Sequence, residues 1–405
     1  MSLNCPSEFP AHHKEKQSCP PKTVGMIFDP IMEDHFSPQG HYECPERVAS
    51  LVSKLEETGL LASCKRLAPR LASDEELMRV HTREHIAKVD GIREASARNA
   101  DLGGVFCSPG TPAAARMAAG CVTEAALQVL RGEVGSAMAV VRPPGHHAEC
   151  DRAMGFCLFN NISVAAEAAL RFPGVKRVLV LDWDVHHGNG IQHTLEDNPG
   201  VMYISLHRGN GFFPGTGEAH EIGTGSGAGF TMNIPWPKAG FGDLDYKAAF
   251  DLVIEPVVQS FLPDLCIVAA GYDAVEGDPL GNMRLTAEGY GHMTQRLLGV
   301  CGGRVVVALE GGYNVRATAD CAAETMRVLL GGPVASLEEG EPRRSLRRET
   351  KDVLRLVAKH HQGHWDVLSG STFDLRLKRY FDEAFRRLPE SSRCRATHGS
   401  IEIYV

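Results

Sequence analysis

The chain has 405 residues, 43% hydrophobic and 23% charged, with 42 glycines, a composition that supplies a sizeable core and fits one large α/β domain. A formal net charge of −8 speaks against direct nucleic-acid binding, which draws on an excess of Lys and Arg. Twelve cysteines without a Cys-x-x-Cys pair and no apolar run of bilayer length speak against a disulfide scaffold and a membrane protein; the expectation is a soluble chain of a reducing compartment, cytoplasm and/or nucleus.

Residues 1–22 are polar and rich in Pro, His and Lys and are expected to form a disordered N-terminal extension. Val24-Gly-Met-Ile-Phe28 reads as a first strand. From Pro45 to Gly59 helical spacing puts Val48, Leu51, Val52 and Leu55 on one face. Ser73 and Glu76 form a capping-box pattern that opens a helix towards Val89. Thr111-Pro112 opens an Ala-rich helix to Gly132. Apolar, β-branched runs then recur at 137–141, 177–181, 201–206, 265–269 and 304–309. Helical stretches lie at 161–171, 246–261, 286–299 and 317–330. Runs apolar on both faces and joined by helices predict a central parallel sheet with helices on both faces. Residues 23–332 thus read as one domain, and 333–405 as a charged linker with a helical extension, its helices near Glu349–His360 and Phe373–Leu388.

In open α/β sheets ligands bind beyond the carboxyl ends of the strands, and four of those ends carry chemistry. Val141 is followed by Arg-Pro-Pro-Gly-His146-His147, Leu181 by Asp182-Trp-Asp184-Val-His186-His187-Gly-Asn189, Ala270 by Gly-Tyr-Asp273, and Leu309 by Glu310-Gly-Gly-Tyr313. Asp184 and His186, two apart, point to one side and reach one ion; Asp273 adds a third ligand, which leaves an open position typical of a catalytic metal. His146-His147 offers a base and an acid, and Tyr313 an oxyanion donor. Singly, an Asp after a strand is more often a turn or cap residue, and a His pair a packed or surface feature. Gathered at four strand ends, they point to a site. Other patterns read as structure: His187 as a packed residue, Gly225-Ser-Gly-Ala-Gly229 as plain loop, Arg343–Arg348 as a solvated stretch. The trio His360, His361 and His364 is a weak candidate for a second metal site.

Arg142-Pro-Pro-Gly-His-His-Ala, Gly155-Phe-Cys, Asp182-Trp-Asp-Val-His-His-Gly-Asn-Gly, Ser205-Leu-His, Phe212-Phe-Pro-Gly and Glu310-Gly-Gly-Tyr-Asn together resemble the zinc-dependent histone deacetylase family over about Val24 to Leu330. Asn189, where class I members carry Asp, resembles class II. Gly277-Asp-Pro-Leu-Gly and Glu310-Gly-Gly-Tyr are most similar to the class IIb tubulin deacetylase, specifically its second catalytic domain. The resemblance implies a single arginase/deacetylase-like domain that hydrolyses N6-acetyl-lysine in proteins. It implies zinc on Asp184, His186 and Asp273; His147 as general base with Asn189 orienting it; His146 as its electrostatic or acid partner, oriented by Asp182; and Tyr313 as oxyanion donor. Phe156 and Phe213, with Gly155 beside them, would wall the lysine tunnel. A structural potassium ion would use Asp182, Ser205 and carbonyls at Asp184, His186 and Leu206. Implied partners are acetylated proteins such as histone tails or tubulin, and a co-repressor complex. Polyamine deacetylases of the family place Glu at Leu280, so Leu280 favours peptide substrates over the alternative of small acetylated amines. A weakly active chromatin scaffold is the other alternative; weakly active class II members carry His at the Tyr313 position. The loop Arg208-Gly-Asn-Gly-Phe212, shorter than its usual class II counterpart, and the segment 101–109 would line the mouth.

Overall fold

The structure is a computed structural model that describes residues 23–92, 102, 105–337 and 346–386. The N-terminal extension, most of the linker and part of the segment 101–109 therefore lie outside the described residues.

Eight strands form one parallel sheet: β1 (Val24–Ile27), β2 (Lys65–Arg66), β3 (Ser136–Ala139), β4 (Val178–Asp182), β5 (Val201–Arg208), β6 (Thr231–Trp236), β7 (Leu265–Ala270) and β8 (Val305–Leu309), in the order β2-β1-β3-β8-β7-β4-β5-β6. Both faces are covered. Along β4, Leu179 and Leu181 enter one apolar cluster while Val178 and Val180 enter another on the opposite face, the two-residue period of a strand buried on both sides. The second cluster is closed by α4 (Thr111–Leu130), α5 (Asn161–Leu170) and α6 (Asn189–Leu195). The first is closed by α1 (Glu46–Glu57), the segment 243–261, α9 (Ala287–Val300) and α10 (Val315–Leu329).

Several elements differ from the sequence reading for identifiable reasons. β6 contains Asn233 and Pro235, which interrupt an apolar run; its place at the sheet edge is where a residue without a backbone N–H is tolerated. The helix expected from Ser73 to Val89 is two helices. The capping box at Ser73 and Glu76 is present, but α2 (Asp74–Leu77) ends after one turn, and Thr82 starts α3 (Arg83–Asp90) by accepting from His85 N. The stretch predicted as one helix over 246–261 is α7 (Asp243–Ala249), a wide π turn at Phe250–Ile254 and α8 (Glu255–Phe261). Pro256 cannot donate to the Leu252 carbonyl one turn back. Arg376, on the last helix, donates to that carbonyl instead at 2.8 Å.

The C-terminal helices α11 (Arg348–His361) and α12 (Gly370–Arg386) are packed into the same core. Leu354, Val357, Leu377 and Phe381 are buried in the first cluster. Asp245 accepts from Arg347 N at 2.9 Å and from Thr350 Oγ1 at 2.5 Å, and Trp365 Nε1 donates to Gly229 O at 2.8 Å. Leu377→Ala, at a site with no solvent exposure, should therefore lower the unfolding free energy of the whole domain by about 2–5 kcal/mol. Urea unfolding followed by fluorescence should show one shifted transition; an unshifted main transition would mean that the helices fold as a separate appendage.

Candidate active site

The strands β3, β8, β7 and β4 are neighbours in the sheet, so the four motif-bearing ends open onto one stretch of its carboxyl edge. Each side chain is placed by a short turn that leaves its strand. Asp182 Oδ1 accepts from Asp184 N at 3.1 Å, and Asp184 Oδ1 from His186 N at 2.8 Å, so the turn after β4 closes on its own carboxylates. Asp273 Oδ1 accepts from Val185 N at 2.8 Å and ties the end of β7 to this turn.

Asp184, His186 and Asp273 are buried, and their ligand atoms lie within 4.8 Å of one another. His186 Nδ1 is 3.0 Å from Asp184 Oδ1 and 3.1 Å from Asp273 Oδ2. Burial pushes Asp273 up to about 7, with Asp184 next in effect. Burial works against an imidazolium at His186, yet the two carboxylates hold its pKa up at about 9. The field at this point favours positive charge, and two carboxylates with one imidazole are the donor set of a divalent catalytic ion. Gly311 makes room for it: a Cβ there would lie 2.3 Å from Asp273 Oδ2 and 2.5 Å from Asp184 Oδ2, while its own N–H donates to Asp184 Oδ2 at 2.9 Å.

Beside this trio the two histidine rings lie 3.9 Å apart between centres, tilted by 47°, with different partners for each ring. His146 Nδ1 is 3.1 Å from Asp182 Oδ2, and its Nε2 is 3.8 Å from Asp184 Oδ2. Burial opposes its charge, but Asp184 and Asp182 push it up to about 10. His147 Nδ1 is 2.8 Å from the amide oxygen of Asn189. Burial, followed by His146 and His186, drives His147 well below the usual imidazole range. The two rings are thus pushed in opposite directions.

Tyr313 completes the ring of groups. Its ring stands edge-on to Phe156 at 5.8 Å, with the Arg47 guanidinium 5.3 Å from its centre, and burial pushes the phenol well above its usual pKa, keeping it a donor. Phe213, 45% exposed, packs edge-on against His147 at 5.1 Å. Phe156 has a left-handed backbone (φ 68°) that a non-glycine residue rarely adopts. It follows Gly155, where a Cβ would strike His147 Cδ2 at 2.4 Å. Leu280 is half-buried and joined to the site through Asp278, which accepts from Leu280 N at 2.8 Å and from Tyr313 N at 2.8 Å. Asp182 and Ser205 are paired in register on β4 and β5 and are both buried; Ser205 Oγ lies 2.8 Å from His207 Nδ1.

His187 is packed away from the trio, bonded to Thr216 and Gln192. The loop 225–229 holds only a short 3-10 turn. His360, His361 and His364 do not bring three ligand atoms together; among the described residues the other such group is His146, Cys157 and Glu310. In that group burial pushes the Cys157 thiol far up, and Glu310 Oε2 already accepts from Gly145 N and His146 N, so it reads as support for the histidine turn. The sequence reading missed the supports: Glu310, Asp278, Glu149 beside Asn189, and the buried cluster in which Glu43 pairs with Arg142 at 2.7 Å and with Arg47 at 3.1 Å. Glu310, Asp278 and Arg142 stood inside the motifs quoted above without a role assigned; Glu43, Arg47 and Glu149 carried no local signal.

The chain is similar to known proteins. Residues 41–329 match the family described as histone deacetylase domain. Histone deacetylase 15 of Arabidopsis thaliana is 44% identical over 298 residues, 72% of this chain and 53% of that protein. Histone deacetylase 5 of the same plant is 39% identical, covering 86% of this chain and 54% of its own length. Histone deacetylase 7 of Homo sapiens is 40% identical, covering 84% and 40%. The chain spans about half the length of the curated relatives it matches. The crystal structure of the HDA15 HD domain superposes with a TM-score of 0.79 at 39% identity, over 85% of this chain and 98% of that one. The matched span carries all four strands whose ends build the site, and the chain belongs to the histone deacetylase domain family.

Proposed function

We propose that this chain hydrolyses N6-acetyl-lysine in proteins of histone-tail or tubulin type to lysine and acetate, as a class II enzyme holding one zinc ion on Asp184, His186 and Asp273. The observation that carries the reading is geometric: a buried Asp-His-Asp pocket beside two adjacent histidines, one bonded to the Asp182 carboxylate and the other to the Asn189 amide. The kinship to the class IIb tubulin deacetylase, a structural potassium ion on the oxygens at Asp182 and Ser205, a nuclear or cytoplasmic location and a co-repressor complex belong to the same proposal. No helix among the described residues is long and apolar enough to cross a membrane.

Zinc, when bound, supplies Lewis-acid polarisation of the amide carbonyl and lowers the pKa of a water. The chain does the rest. Neutral His147 takes the water's proton at Nε2 as the oxygen bonds the carbonyl carbon. The Tyr313 hydroxyl donates to the oxygen that gains charge. His146, held by Asp182, gives a proton from Nε2 to the lysine nitrogen as the C–N bond breaks. Phe156 and Phe213 offer apolar walls to the methylene stem.

Tyr313→Phe removes a donor and no ligand, so kcat on an acetyl-lysine peptide should fall roughly 10²-fold or more while a zinc-binding hydroxamate still binds; an unchanged kcat removes Tyr313 from the mechanism. Leu280 gives an apolar rim that cannot pair with a second ammonium, whereas a carboxylate there could. Wild type should thus show higher kcat/KM for acetyl-lysine peptide than for acetylspermidine, and Leu280→Glu should move the ratio towards the polyamine. A wild type that prefers acetylspermidine would overturn the protein-substrate reading.

A further inference from the structure

The proposed base is held by an amide, and an amide has two ends of nearly the same shape. Asn189 can turn either its oxygen or its NH₂ group towards His147, and the two orientations select opposite tautomers of the imidazole. Oxygen towards His147 requires a hydrogen on Nδ1 and leaves the Nε2 lone pair free for the water. NH₂ towards His147 requires an unprotonated Nδ1, puts the hydrogen on Nε2, and the ring is no longer a base at the reacting end. Family members with Asp at this position have no such ambiguity, since both carboxylate oxygens accept.

Glu149 resolves it. Asn189 Nδ2 donates to Glu149 Oε1 at 2.6 Å and to the His147 carbonyl at 3.2 Å, while Asn189 Oδ1 faces His147 Nδ1 at 2.8 Å. A carboxylate only accepts, so the NH₂ end must point to it; reversing the amide would set two acceptors against each other at that 2.6 Å contact. Glu149 is itself fixed. It is 6% exposed, and both of its oxygens bind His193 Nδ1, at 2.9 and 3.1 Å. Asn189 and His193 are four residues apart on α6 and so share a face, and Glu149 bridges them. Arg152 stands 3.8 Å away.

We propose that Glu149, which touches neither substrate nor metal ligand, is a positioning residue that orders the Asn189 amide and thereby sets the tautomer of His147. The inference rests on the reading of His147 as the base. A purely structural role, stapling α6 to the histidine turn through His193, is the competing account, and the His147 tautomer separates them.

The full-length zinc-loaded protein, Glu149→Gln, Asn189→Asp and the double variant are compared for kcat and KM on an acetyl-lysine peptide, for melting temperature, and for the His147 tautomer by ¹⁵N NMR of labelled histidine. Glu149→Gln accepts either amide orientation. Its kcat should drop about tenfold, about 1.4 kcal/mol of transition-state stabilisation, with little change in KM, and its His147 signal should show Nε2–H tautomer that the wild type lacks. Asn189→Asp alone should lose activity because two carboxylates meet at the short contact, and adding Glu149→Gln should restore it. Relief of the two facing carboxylates restores activity on either account, so the His147 tautomer, which a staple would leave unchanged, decides the matter. Equal losses from Glu149→Gln in both backgrounds, with the tautomer unchanged, would leave only the staple and overturn the proposal. A wild type inactive on acetyl-lysine would instead sink the deacetylase reading, and the NMR comparison would still decide the role of Glu149.

Discussion

Two carboxylates and an imidazole held within hydrogen-bonding distance of one point, out of water, are stable together only if positive charge sits among them. That constraint at Asp184, His186 and Asp273 organises the rest of the site. The turn after β4 spends its backbone N–H groups on Asp182, Asp184 and Asp273, and the N–H groups of Val185 and Gly311 bring in β7 and β8. Neighbouring parallel strands ending at one level make this possible, because each contributes one turn to the same few ångströms.

The same negative field explains why the two adjacent histidines differ. His146 faces Asp182 and Asp184 and is pushed up; His147 faces an amide and two other imidazoles and is pushed down. An enzyme that must both accept and donate a proton near neutral pH needs such a split. Deeper in the fold, the buried Glu43 carboxylate lies between Arg142 and Arg47; burial opposes its ionisation, but the guanidiniums hold it down at about 2. Arg47 then donates through Nε to the Gly312 carbonyl at 2.6 Å, and also to that of Glu310, which fixes the backbone just before Tyr313. The charged groups beneath the site thus set the position of Tyr313, the proposed oxyanion donor.

Much of this was legible in the sequence because apolar runs mark strands in a doubly covered sheet, and polar residues after them mark its edge. Asp184, His186, Asp273, both histidines and Tyr313 all stand directly after such runs. Elements that broke the pattern were not legible: β2 has only two residues, both exposed, and β6 hides behind Asn233 and Pro235. The supports were illegible for a different reason. Glu149 meets Asn189 across 40 positions, Asp278 meets Tyr313 across 35, and Arg142 meets Glu43 across 99. No local spacing announces a partner at that separation; only the fold brings them together. The C-terminal helices were visible as amphipathic stretches, but what their apolar faces cover depends on the π turn and on Asp245, far away in sequence.

The claim that the Asp-His-Asp pocket holds the catalytic ion is tested most directly by metal content paired with turnover. Purified protein should carry one equivalent of zinc by elemental analysis and lose deacetylation as the metal is chelated, with both recovered together on adding zinc back. Asp273→Asn should bind far less. Full turnover by protein shown to be metal-free would contradict the account at its centre.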